Sequence, residues 1–115
     1  MFHFHGLLNK TGFGTVGRGL FRGFDAAGPD FQLTPLYGIE LDEGAGDDPA
    51  RLRAREAFRA HPLAPTVKLF HHHSDLTNWA GRGMRYLYTF FEISRIPLDQ
   101  IEELNRQTDE VWTAS

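Results

Sequence analysis

The sequence predicts an α/β fold: an open, mostly parallel sheet with flanking helices. Three observations lead there. Short apolar or alternating runs recur between helical patterns, in the order β, α, β, α, β, loop, β, α, β. Glycine and proline clusters punctuate nearly every junction between them. The chain has 115 residues and 41% hydrophobic content, enough for one core.

The elements follow in order. Phe2 to Leu8 alternates, with Phe2 and Phe4 facing one way and His3 and His5 the other, as a strand does. Thr11 to Gly19 holds four glycines and reads as a turn entering a helix. Val16, Leu20, Phe21 and Phe24 supply that helix's apolar stripe. Gly28-Pro29 ends it. The stretch from Phe31 to Leu41 contains a second strand, placed at Leu36 to Leu41, just after Pro35.

Asp48 suits a helix N-cap and Pro49 the first helical position, which predicts a helix over Ala50 to Ala60. Leu52, Ala54 and Phe58 give it only a thin apolar face, so it belongs at the surface. Pro62 and Pro65 close it. Thr66 to His71 is a third strand, and Ser74 to Gly83 a loop carrying Trp79. Met84 to Phe91 is apolar almost throughout, the mark of a central strand covered on both faces. Pro97 and Asp99 open a helix with Leu98, Ile101 and Leu104, and Glu110 to Thr113 forms a last short strand. No linker splits the chain, so residues 1–115 are expected to form a single domain.

Composition narrows the function. There is no cysteine, hence no disulfide framework and no thiolate chemistry, which fits a reducing compartment and points to the cytoplasm. Twelve basic residues face fifteen acidic ones, and neither half of the chain is basic. Non-specific nucleic-acid binding therefore has no electrostatic support. No run approaches the roughly 18 apolar residues of a membrane span. The segment Met1 to Gly6 lacks the charged and apolar regions of a signal peptide.

Gly12-Phe-Gly-Thr-Val-Gly17 matches G-x-G-x-x-G between a strand and a helix. Two accounts stay open. It is either a tight turn without a ligand, or a cradle in which glycines let a phosphate approach the backbone and the helix N-terminus. Arg18 would add a charge-assisted contact to such a phosphate. In a dinucleotide-binding domain an acidic residue follows about 20 residues later, and Glu40 and Asp42 lie 23 and 25 residues past Gly17.

His71, His72 and His73 end the third strand, the end that lines the crevice in open α/β sheets. One of them suits a general base or a hydrogen bond to a ligand, and the others a solvated strand end. Glu92 sits at another strand end, where it would orient a ligand hydroxyl or cap the next helix. Asp75 and Trp79 share the next loop, and Trp79 would either stack on a ligand ring or anchor the core. A metal site would join His71, His72 and His73 to His3 and His5, which share one face of their strand, but no carboxylate pattern supports it and no metal is expected. No cofactor is expected either. Asp99 and Glu102 match first-turn charge at a helix dipole.

The stretch from Arg85 to Ser115 is the most distinctive. It runs Tyr88-Thr89, Glu92, then a Pro97-started helix ending in Leu104-Asn105, then Asp109, Val111-Trp112 and Ser115. This pattern resembles the N-terminal half of the group 1 (family 4) glycosyltransferases of the GT-B fold, and Gly12-Phe13-Gly14 looks like the glycine loop after that family's first strand. The likeness covers both ends of the chain and is vague between about Phe24 and Pro65.

The resemblance implies a Rossmann-like domain that holds the acceptor, and hexosyl-type transfer from a nucleotide-activated donor. It implies donor diphosphate contacts at Gly12, Gly14 and Arg18. It favours His72 or His73, with Glu92, as catalytic groups, and Asp75 and Trp79 as acceptor contacts. The paired glutamates of the family's donor-binding half are absent here. The chain is therefore expected to be truncated and to need a separate C-terminal half as its partner. The alternatives are a dinucleotide-binding module of an oxidoreductase, or a non-catalytic remnant that self-associates.

Overall fold

The protein is described from a computed structural model. The structure describes residues 1–10, 12–56, 61–69, 76, 79, 81–89 and 98–113, without the side chains of Leu7 and Tyr37. The elements are β1 (Phe2–Leu8), α1 (Gly12–Ala27), β2 (Phe31–Ile39), a 3-10 turn (Glu43–Ala45), α2 (Pro49–Arg55), β3 (Thr66–Leu69), β4 (Arg85–Thr89), α3 (Leu98–Gln107) and β5 (Glu110–Thr113). The five strands make one sheet in the order β2-β1-β3-β4-β5, and every described pairing is parallel. This is the α/β, Rossmann-like open sheet that the sequence predicts. No helix among the described residues is long and apolar enough to cross a membrane.

Parallel register puts side chains of paired residues on the same face. Phe4 pairs with Leu33 and Val67, and Val67 with Tyr86. These residues join Phe13 and Phe21 of α1 and Leu52 of α2 in the main core. The phenylalanine rings interlock there. Phe24 meets Phe2 and Phe4 edge-on at 5.0 and 5.2 Å between centroids, and Phe21 meets Phe31 at 5.8 Å. Such pairs each add roughly 0.5–1.5 kcal/mol beyond the area they bury.

The opposite face carries His3, His5, Thr66, Lys68, Leu87 and Thr89, all buried. A smaller cluster of Leu76, Leu87 and Leu104, with Trp79 against it, brings α3 to that face. α1 and α3 thus lie on opposite sides of the sheet. The chain steps one way from β1 to β2 and the other way from β4 to β5, so one crossover hand puts their helices on opposite faces.

Several elements differ from expectation. α1 begins at Gly12, so the predicted glycine turn is the first turn of the helix. Phe13 and Gly14 are buried there, and packing of the helix start outweighs the roughly 1 kcal/mol that each interior glycine costs relative to alanine. A Cβ on Gly14 would overlap the Asn9 carbonyl, so that glycine serves close helix–strand packing. Positive φ occurs elsewhere, at Gly28 (83°), which ends α1, at Gly38 (82°) in β2, and at Gly46 (85°), which closes the 3-10 turn.

β2 starts at Phe31 rather than Leu36 and includes Pro35. An edge strand tolerates proline because one side of its backbone is not in the ladder. α2 has the predicted cap, with Asp48 accepting from the Ala50 N–H at 3.1 Å and Pro49 beginning the helix. It ends at Arg55, where Glu56 bridges to Leu33. The expected continuation to Ala60 enters residues 57–60, outside the described residues, as do the expected ends of the third and fourth strands at His71 and Phe91. β1 and β5 have the predicted bounds.

Candidate functional site at the carboxyl edge of the sheet

In an open parallel sheet, ligands bind beyond the carboxyl ends of the strands, where the strand order reverses. Here that point lies between β1 and β3, because the chain goes from β1 out to β2 and then back across β1 to β3. Leu8 and Leu69 mark the two strand ends.

Arg18 organises the β1 side of this edge. It lies on α1 and is 5% exposed. Its Nε donates to Asp47 Oδ1 and Oδ2 at 3.0 and 2.9 Å. Its Nη1 donates to the Asn9 carbonyl, and its Nη2 to the Glu40 carbonyl at 2.5 Å. One guanidinium thus joins the residue after β1, the residue after β2 and the turn before α2. Asp47 also accepts the Asp42 N–H at 2.8 Å. Losing one partner of such a pair strands a buried charge, at a cost of about 3–5 kcal/mol.

The other predicted residues fall as follows. Gly12 opens α1, is exposed, and has open space where a Cβ would point. Gly14 is pressed against Asn9, the residue after β1. Trp79 is half-buried in the smaller cluster, and its Nε1 donates to the Leu76 carbonyl. Its ring lies 5.1 Å from Lys68 Nζ and 5.3 Å from the Arg85 guanidinium, cation–π distances. Glu40 follows β2 directly, is exposed, and donates its N–H to the Leu8 carbonyl at 2.8 Å. Asp42 caps the 3-10 turn through Ala45. His71, His72, His73, Asp75 and Glu92 lie outside the described residues.

Two features were not found by sequence reasoning. The first is a cleft of about 380 Å³ between α1 and α2, floored by Leu8, Phe21 and Leu52 and edged by Arg22, Asp25 and Arg51. The spacing of Arg18 with Arg22, and of Arg51 with Arg55, hints at two basic helix faces. The meeting of those faces follows only from the way α2 packs. Asp25 links them, accepting from Arg51 at 2.8 Å and from Arg55 at 3.1 Å.

The second is the buried polar patch. His5 pairs in register with Lys68, and His3 with Thr66. Among the described residues neither ring nitrogen of His5 has a hydrogen-bond partner. Burial, then the neighbouring Lys68 charge, then His3, pull the His5 pKa down to about 4, so His5 is neutral at pH 7. His3 Nε2 lies 3.3 Å from both the His61 carbonyl oxygen and the His61 nitrogen. Among the described residues no three His, Asp or Glu side chains are grouped to hold a metal ion. No family model, curated protein or solved structure matches the chain.

Proposed function

We propose that this chain is the acceptor-side half of a glycosyltransferase that moves a hexosyl unit from a nucleotide-activated donor. The observation that carries the reading is the carboxyl edge of the parallel sheet. The packed start of α1, the Arg18 staple and the end of β3 converge there at the point where strand order reverses. The sequence pattern that resembles the family occupies β4, α3 and β5, including Tyr88, Thr89, Asp109 and Trp112.

In this reading the N-terminal end of α1, at the exposed Gly12, meets the donor diphosphate, and the positive end of the helix dipole stabilises charge developing on the leaving phosphate. Gly14 and Arg18 support that end from beneath: Gly14 by letting the helix approach Asn9, Arg18 by fixing the Asn9 and Glu40 carbonyls. Trp79 offers an aromatic face to the acceptor, with Asp75, while His72, His73 and Glu92 supply acid–base or orienting groups. The donor pocket comes from a C-terminal half. The natural compartment is the cytoplasm.

The test is a glycan array probed with this chain, since an acceptor-side half holds its sugar without donor. Saturable saccharide binding that Trp79→Ala weakens by tenfold or more supports the reading. Transfer is then assayed, as released nucleoside diphosphate, with a donor-binding half added.

A second reading, a dinucleotide-binding module, draws on Glu40. It stands immediately after β2, beside β1, where such modules place the acidic residue that meets a ribose hydroxyl. A calorimetric titration with nicotinamide and flavin dinucleotides separates the two. Micromolar binding lost in Glu40→Gln, together with a blank glycan array, replaces the first reading by the second.

A further inference from the structure

The cleft between α1 and α2 contains more hydrogen-bond donors than its own acceptors use. Each of its three carboxylates accepts a hydrogen bond. Asp25 takes Arg51 on Oδ2 at 2.8 Å and Arg55 on Oδ1 at 3.1 Å. Asp47 takes Arg18 on both oxygens and the Asp42 N–H on Oδ2. Asp48 caps α2 through the Ala50 N–H.

The two guanidiniums at the mouth are less committed. Among the described residues Arg22 hydrogen-bonds through Nη2, to the Ala45 carbonyl, and lies 3.7 Å from Asp47; Arg51 hydrogen-bonds through Nη1, to Asp25, and its Nε lies 3.9 Å from Asp48. Each carries five N–H donors in a planar fork. Their side chains are 50% and 68% exposed. Beneath them the floor of Leu8, Phe21 and Leu52 is apolar. The volume of about 380 Å³ falls within the roughly 300–1,000 Å³ of ordinary small-molecule sites.

We propose that this cleft binds a small molecule with an oxyanion head group and an apolar body. The head, a phosphate or a carboxylate, sits on Arg22 and Arg51, and the body covers Phe21, Leu8 and Leu52. A guanidinium fork matches two oxygens of either head group, and such charge-assisted bonds are about twice as strong as neutral ones. The cleft shares Leu8, Arg18 and Asp47 with the carboxyl edge, but its binding of an oxyanion does not depend on the sugar-transfer reading.

The experiment titrates the chain with four probes by saturation-transfer NMR: phenyl phosphate, benzoate, benzyl alcohol and inorganic phosphate. The expected result is saturable binding of phenyl phosphate or benzoate, at least about tenfold tighter than either single-feature probe. The tighter of the two aromatic anions identifies the natural head group as phosphate ester or carboxylate. Arg22→Gln and Arg51→Gln each weaken it about tenfold, and both replace exposed side chains, so the fold is retained. Ala26→Trp, at an exposed lining position, fills the cleft and removes binding while the circular dichroism stays native. Failure of both aromatic anions to bind overturns the proposal. So does binding that none of the three variants moves, and so does inorganic phosphate binding as tightly as phenyl phosphate.

Discussion

On one face of the sheet, Phe4, Leu33, Val67 and Leu69 lie under α1 and α2; on the other, His3, His5, Thr66 and Lys68 are buried just as deeply. Phe4 is fully buried and its β1 neighbour His5 is 4% exposed. The first face gains stability from each side chain it hides, about 1.5–3 kcal/mol per large apolar group. The second loses the hydration of imidazoles and an ammonium, and must recover it through partners or by staying uncharged. Deep burial in this domain therefore has two meanings: one face holds the fold together, and the other stores a cost.

The difference is sharpest in substitutions. Phe4→Ala removes the centre of the phenylalanine cluster, and chemical denaturation should show a loss of about 3–5 kcal/mol. Asp47→Asn, at the carboxyl edge, leaves the buried Arg18 charge poorly paired, and a loss of similar size, about 3 kcal/mol or more, is expected. A change under 1 kcal/mol in Asp47→Asn would mean that the Arg18–Asp47 pair carries little of the stability at that edge.

Acid should act through the polar face. The His5 pKa is near 4 in the folded chain and about 6.5 when exposed, so the unfolded state binds more protons between those values. The contribution of neutral His5 is complete above about pH 6.5 and disappears as the pH falls to about 4. On the order of 3 kcal/mol of stability is lost across that window. His5→Leu should flatten this dependence, as read from denaturation midpoints at several pH values. Lys68→Met removes a like charge and should raise the His5 pKa.

The smallest effects separate two glycines of α1. Gly23→Ala meets open space and should stabilise by about 0.5–1 kcal/mol, as alanine does in a helix interior. Gly14→Ala meets the Asn9 backbone and should destabilise instead. Thermal melts of the pair distinguish a packing glycine from one that the helix merely tolerates.

The residues themselves explain what the sequence made visible. Alternation in Phe2 to Leu8 and the Asp48-Pro49 cap are local signals, and both hold in the structure. The start of α1 was hidden because four glycines argue for a turn, whereas Phe13 and Gly14 are held by contacts with β1. Pro35 reads as a strand boundary, yet β2 runs through it, because an edge strand accepts proline. Periodicity showed that His3 and His5 share a face, but not what covers that face, and so not that Lys68 would lie beside His5. From its place after the glycines, Arg18 reads as a phosphate ligand. Its partners Asp47 and Glu40 come from distant segments that no spacing rule connects.

The most direct measurement is the titration of the six histidines by NMR, with the His5 resonance identified by its loss in His5→Gln. This resonance should titrate near pH 4, far below ordinary histidine behaviour. A His5 pKa between 6 and 7 would contradict it, because the polar face would then be open to water and the two faces would not share a common depth.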